Sequence, residues 1–168
     1  MFILPFVASM VFAQETPPPE PAITVQADGT YVCRVTVAAS AEEVEALLAD
    51  PVAAARLSPD VLSIQANPSG PCQTLTTTSR GMLSALKFTS KRCPTADGWH
   101  EELVASEDFS EFDGTWTVSA VDPSTTEVMY ELTTKPNLPV PDAVLRQGVQ
   151  RSLKTMLRNL ADRVSRLR

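Results

Sequence analysis

The chain is poor in the side chains that most enzyme chemistry draws on. Its 168 residues include one histidine, His100, and three cysteines, Cys33, Cys72 and Cys93. No two cysteines have C-x-x-C spacing, so the usual cysteine zinc site and the thioredoxin-like redox pair are both excluded. Gly70, Gly81 and Gly98 are isolated, which leaves no glycine-rich phosphate loop. No serine sits in a nucleophile-elbow pattern. The apolar run at residues 2–13 falls short of the about 20 residues a transmembrane helix needs. His100 stands beside Glu101 and Glu102, a setting that an exposed strand edge explains as readily as catalysis. Tyr130 and Thr117 are the other polar candidates, but none falls in a catalytic motif. No catalytic residue is therefore assigned, and no metal or cofactor is expected.

What is present begins with that apolar run. It ends Val11-Phe12-Ala13, a pattern suited to signal-peptide cleavage before Gln14, although no Lys or Arg precedes it. Residues 1–13 are thus expected to be a signal peptide. Residues 14–28 are expected to be a Pro-rich linker, because the prolines of TPPPEP hold an extended chain. No Cys follows the run, which argues against a lipoprotein anchor. The expected location is periplasmic or secreted. The formal charge of −6 is uneven: beyond Pro141 seven basic residues face two acidic ones, a balance of +5 that leaves −11 elsewhere. That distribution excludes a general nucleic-acid-binding surface.

The strongest local pattern is a closing helix. Pro139 and Pro141 break the preceding segment, and Asp142 stands where an N-cap belongs. Leu145, Val149, Leu153, Met156, Leu160, Val164 and Leu167 then recur at helical steps, widened by Leu157 and Ala161 into one apolar face. At about 1.5 Å per residue this helix spans roughly 40 Å. Gly148 within it is either simply tolerated or marks a bend or close ligand approach. Arg151, Lys154 and Arg158 share the opposite face, as a solvated surface or as a site of transient membrane contact.

Between leader and closing helix, seven strand-like runs and two short helices are expected. Residues 31–37 form the first strand. Ser40 and Glu43 make a capping box for a helix with Val44, Leu47 and Leu48 on one side, and Pro51 opens a second helix to Leu57. Further strands cover residues 61–66, 72–80, 85–93, 99–109, 112–121 and 126–135, divided by turn signals such as Asp97-Gly98 and Asp122-Pro123-Ser124. A tight turn at Met82 and Leu83 makes the numbers of opposed residues sum to 165, as those of Cys72 and Cys93 do. The two cysteines would then face each other within disulfide reach, which suits an oxidising compartment. Cys33 is left as a buried thiol.

The segments VTVAASAEEVEALLADP and GTWTVSAVDPSTTEVMYELTTKP, followed by Leu-Pro-Val-Pro and the long helix, resemble the START-like (SRPBCC) helix-grip superfamily of polyketide cyclase/dehydrase and lipid transport proteins. The resemblance covers residues 29–168, expected to be one ligand-binding domain. It implies an α+β fold: a curved seven-stranded antiparallel sheet wrapped around the C-terminal helix, with two short helices after strand one. It also implies a cavity between sheet and helix for a lipid, sterol, quinone or polyketide-like molecule. Strand alternation and the helix stripe propose its lining: Leu86, Phe88, Leu103, Trp116, Val118, Val128, Tyr130, Leu132, Leu145, Val149, Leu153 and Met156, with Arg146 near the mouth. The expected role is a carrier for a hydrophobic small molecule. The alternative is a cyclase or dehydratase using the same cavity.

Overall fold

The computed structural model of the chain describes residues 20–166. The expected signal peptide, residues 14–19 of the expected linker, and Leu167 at the end of the helix stripe lie outside the described residues. The element order is β1 (Ala22–Val25), β2 (Tyr31–Val37), α1 (Ala41–Ala49), α2 (Pro51–Ala55), β3 (Val61–Ser69), β4 (Cys72–Arg80), β5 (Ala85–Pro94), β6 (Gly98–Ala105), β7 (Phe109–Asp122), β8 (Thr125–Pro136) and α3 (Asp142–Ser165). All strands join one antiparallel sheet in the order β1-β2-β8-β7-β6-β5-β4-β3. α1 and α2 carry the chain from β2, near one end of the sheet, to the far edge at β3.

Local chemistry accounts for the helices. The Ser40 hydroxyl accepts from the Glu43 amide at 3.3 Å while the Glu43 carboxylate accepts from the Ser40 amide at 2.8 Å. Asp50 Oδ1 accepts from the Val52 and Ala53 amides at 2.9 and 3.2 Å, so one carboxylate caps α2 with Pro51 at its first position. α3 begins differently from the sequence expectation. Pro141 is the extended residue whose carbonyl receives the first helical amides, Val144 at 2.9 Å and Leu145 at 3.2 Å. Asp142 is instead the first helical residue, where its charge still faces the positive helix end.

The sheet has eight strands rather than seven. The addition is β1, which pairs Ala22–Val25 with Tyr31–Arg34 through a turn in which Gly29 adopts φ +91°. A four-residue edge strand directly after a proline run carries too little alternation to stand out from a linker. Among the boundary shifts, β3 runs on to Ser69, α2 stops at Ala55, β7 starts at Phe109, and β6 stops at Ala105 instead of running to Phe109. Ser106 Oγ accepts from the Asp108 and Phe109 amides, both at 3.0 Å, and Asp108 Oδ2 accepts from the Lys87 amide at 2.7 Å. Those bonds turn the chain four residues early.

The solid core occupies one half of the molecule. Val35, Val37, Val118 and Val128 on the sheet meet Val44 and Leu48 of α1 and Leu157, Leu160 and Val164 of α3. Asn159 Nδ2 donates to the Leu57 carbonyl at 2.8 Å and ties α3 to the turn after α2. The buried residues of α3 begin only at Leu153. Its first three turns leave the packed core and pass over open space. Among the described residues no helix is long and apolar enough to cross a membrane.

Candidate ligand cavity

That space is a cavity of about 550 Å³, within the about 300–1,000 Å³ typical of small-molecule sites. Its walls are the inner faces of β3–β8, the side of α2 with Pro51 and Ala54, and the N-terminal half of α3. Nine side chains of the proposed lining are on its wall: Leu86, Phe88, Trp116, Tyr130, Leu132, Leu145, Val149, Leu153 and Met156. Four are not. Val118 and Val128 face each other across β7 and β8 in the solid core, where the helices sit directly on the sheet. Leu103 is half-buried opposite Ser90, where the β5–β6 register shifts. Arg146 is exposed, because one residue beyond Leu145 turns the side chain about 100° around the helix.

Three aromatic rings shape one wall. Phe88 meets Phe109 at 5.1 Å edge-on and Phe112 at 4.9 Å between centroids. Trp116 stacks on Tyr130 at 4.3 Å. Gly114 makes room for that ring, since a Cβ there would lie 2.6 Å from the Tyr130 hydroxyl. The Tyr130 pKa is pushed up by burial and, second, by the Glu101 charge, which keeps the phenol neutral.

The inner end of the cavity is polar, a feature absent from the sequence-derived list. Arg92 is only 3% exposed. Its Nη2 donates to the Leu48 carbonyl at 2.6 Å, one of the unsatisfied acceptors at the C-terminal end of α1. Its guanidinium lies over the Trp99 ring, 5.2 Å from the centroid. Nη1 is buried and has no hydrogen-bond partner among the described residues. Arg92 is paired in register with Glu101, and both line the cavity. Glu101 Oε1 accepts from the Ser90 hydroxyl at 2.5 Å. Glu101 is partly exposed as a residue, yet desolvation of its carboxylate raises its pKa against the opposing pull of Ser90 and Arg92. Burial likewise lowers the Arg92 pKa, opposed by the Glu101 charge. Alternation alone could have found this cluster: Leu86, Phe88, Ser90 and Arg92 are every second residue of one strand.

Other polar candidates lie elsewhere. His100 Nε2 is 2.9 Å from Asp113 Oδ2, and alternation places both opposite to the inward-facing Glu101 and Gly114. Thr117 falls between inward-facing Trp116 and Val118 and so points outward. Cys33 is buried, and desolvation pushes its thiol up to about 12. Cys72 and Cys93 are joined by a disulfide on the outer face of the β4–β5 hairpin. The hairpin register runs from Gln73 opposite Arg92 to Arg80 opposite Ala85, every pair summing to 165.

An antiparallel sheet that grips one long C-terminal helix over an apolar cavity defines the helix-grip class. Residues 25–165 match the model of a family described as polyketide cyclase / dehydrase and lipid transport, and the chain belongs to that family. Solved structures share the fold at low identity. A START superfamily protein from Mycobacterium smegmatis is 19% identical over 83% of this chain and 99% of its own, with a TM-score of 0.72. The Zhui aromatase/cyclase from a Streptomyces species is 18% identical over 82% and 93%, with a TM-score of 0.71. Human StAR-related lipid transfer protein 5 is 14% identical over 92% and 86%, with a TM-score of 0.71. No curated protein matches the sequence.

Proposed function

We propose that the protein is an exported carrier that holds one hydrophobic small molecule between sheet and α3. The class is lipid, sterol, quinone or polyketide-like, with a single polar acceptor group. The observation that carries this reading is the unpartnered Arg92 Nη1 at the inner end of an otherwise largely apolar cavity. A buried donor without a partner is costly, and a carbonyl, carboxylate or hydroxyl oxygen of a ligand would relieve that cost. The family description, which includes lipid transport, supports the same reading. Export is supported by the apolar run at residues 2–13 and by the disulfide, which persists in oxidising compartments.

One observation favours the second reading, a cyclase or dehydratase. Arg92, Glu101 and Ser90 gather a cation, a carboxyl with raised pKa and a hydroxyl at one end of the cavity. A carboxyl so shifted is suited to general acid–base work. Native mass spectrometry of protein purified from its own envelope, followed by organic extraction, separates the two. A carrier releases the same molecule it took up, with one polar end. Conversion of that bound molecule on incubation establishes the enzyme, and a protein with no bound or bindable apolar molecule refutes both readings.

A further inference from the structure

The free arm of Arg92 has a carboxyl for a neighbour. Arg92 and Glu101 are paired in register on β5 and β6, and both line the cavity. Residues so paired on one face of a sheet have Cβ atoms about 4.5–5.5 Å apart. Arg92 Nη2 is held by the Leu48 carbonyl at 2.6 Å, and Nη1 is the buried donor without a partner among the described residues. A ligand oxygen that accepts from Nη1 therefore comes to lie close to Glu101.

The charges acting on Glu101 are those of Arg92 and, more weakly, of His100 on the opposite face of β6, itself bonded to Asp113 of β7 at 2.9 Å. Asp50, at the C-terminal end of α1, acts on Arg92. β8 contributes the Tyr130 phenol and β2 the Cys33 thiol, both kept neutral by burial. From α3 come the apolar side chains of Leu153 and Met156. Arg151, Arg80 and Asp60 lie on the cavity wall as well, outside the set of groups that shift Glu101.

With Glu101 ionised, the pair is neutral as a whole. A carboxylate added at Nη1 would be a second negative charge on one buried cation. Two carboxylates so placed disfavour each other's ionised form and take up a proton as a unit. Glu101 is the group disposed to accept it, since desolvation raises its pKa against the pull of Ser90 and Arg92. A hydroxyl, ketone or ester oxygen meets no such repulsion. We infer that Glu101 sets the charge selectivity of the cavity: a neutral oxygen headgroup binds Arg92 with no proton exchange, whereas a carboxylate binds only as Glu101 takes up one proton from solvent. The inference rests on the carrier reading and narrows its ligand. Wherever Glu101 is ionised in the empty protein, the preferred molecule is an alcohol, ketone or ester rather than a free acid.

Lauric acid and lauryl alcohol share a chain and differ at the headgroup, so titration calorimetry with both, from about pH 5 to about pH 9, tests this. Repeating each titration in phosphate and in Tris, which differ in heat of ionisation, counts the protons exchanged. Wild type should bind the alcohol with an affinity independent of pH and no proton. Its affinity for the acid should fall about tenfold per pH unit once Glu101 is ionised in the empty protein, with uptake of about one proton. Glu101→Gln should bind the acid without proton uptake, with a flat profile above the acid's own pKa and at least tenfold more tightly than wild type at the alkaline end. A proton carried in by the acid itself would persist in Glu101→Gln, and that result overturns the assignment. Acid binding by wild type that is flat with pH and free of proton uptake does the same. A measurement on wild type alone stands beside the variant: lauric acid isotope-labelled at its carboxyl carbon should show an ionised headgroup by NMR in the complex, and a protonated one overturns the inference. If neither probe binds at any pH, the carrier reading fails and the inference with it. If the alcohol binds but the acid shows no coupling to Glu101, the carrier reading stands and the inference alone falls.

Discussion

At the scale of single residues, Arg92 couples fold and cavity. One arm closes the end of α1 through Leu48, and the other, Nη1, has no hydrogen-bond partner among the described residues. Arg92→Met should cost stability, because it removes a charge-assisted hydrogen bond to a buried carbonyl and the cation facing Glu101. Its specific signature lies in binding. Affinity for a ligand with a carboxylate or carbonyl end should fall roughly tenfold or more, the value of a hydrogen bond to a charged group. A pure hydrocarbon probe should bind as before, and a calorimetric comparison of the two checks this. Glu101 makes a second prediction. Its folded-state pKa is raised, so the ionised form is less favourable in the native protein than in the unfolded chain. The group therefore carries no penalty below its unfolded pKa, and stability is lost as pH rises from there through the folded pKa. Glu101→Gln, which keeps an acceptor for Ser90, should gain stability relative to wild type as pH rises from 4 to 7. Denaturant unfolding at the two pH values measures it, and a difference that shrinks with pH would contradict the assignment.

At the scale of elements, the legible parts were those whose information is local. The Ser40–Glu43 capping box, the Pro51 helix start and the β4–β5 register each follow from a few adjacent residues, and each is found in the structure. β1 was not legible because its evidence is the partner strand, and a four-residue edge strand has almost no pattern of its own. The end of β6 was missed because the Ser106 and Asp108 side chains, rather than glycine or proline, make the turn. The disulfide belongs to this scale too. It closes a loop between residues 21 apart in sequence and ties the mouth of a hairpin that forms two walls of the cavity. Replacing both Cys72 and Cys93 by Ser should lower stability by about 3 kcal/mol in the chain-entropy account. Ligand affinity should change little, since both sulfurs are on the outer face. Unfolding with and without reductant checks the first part. Non-reducing peptide mapping should show Cys33 as the one free thiol.

At the scale of the whole molecule, the question is why half of α3 rests on a core and half on a void. The same leucine and valine periodicity runs through both halves, so no reading of hydrophobic pattern separates Leu160, which is fully buried in the core, from Val149, which looks into the cavity. The distinction is made by what lies opposite. Beneath the C-terminal half, α1 and the paired Val118 and Val128 fill the space. Beneath the N-terminal half, the sheet instead presents the wall of Phe88, Phe112 and Trp116, and nothing comes up from it to meet the helix. Val149→Trp tests this division directly. In a packed core such a substitution forces neighbours apart and costs about 1–3 kcal/mol. Over a cavity the indole has room to enter, so the thermal midpoint should hold or rise while affinity for an apolar probe falls, because the added ring takes the space a ligand needs. Val128→Trp is the matched control in the packed half and should lower the midpoint steeply. If both variants are destabilised alike, the space under α3 is not open in solution; if Val149→Trp is stable yet binds the probe as wild type does, the ligand lies elsewhere.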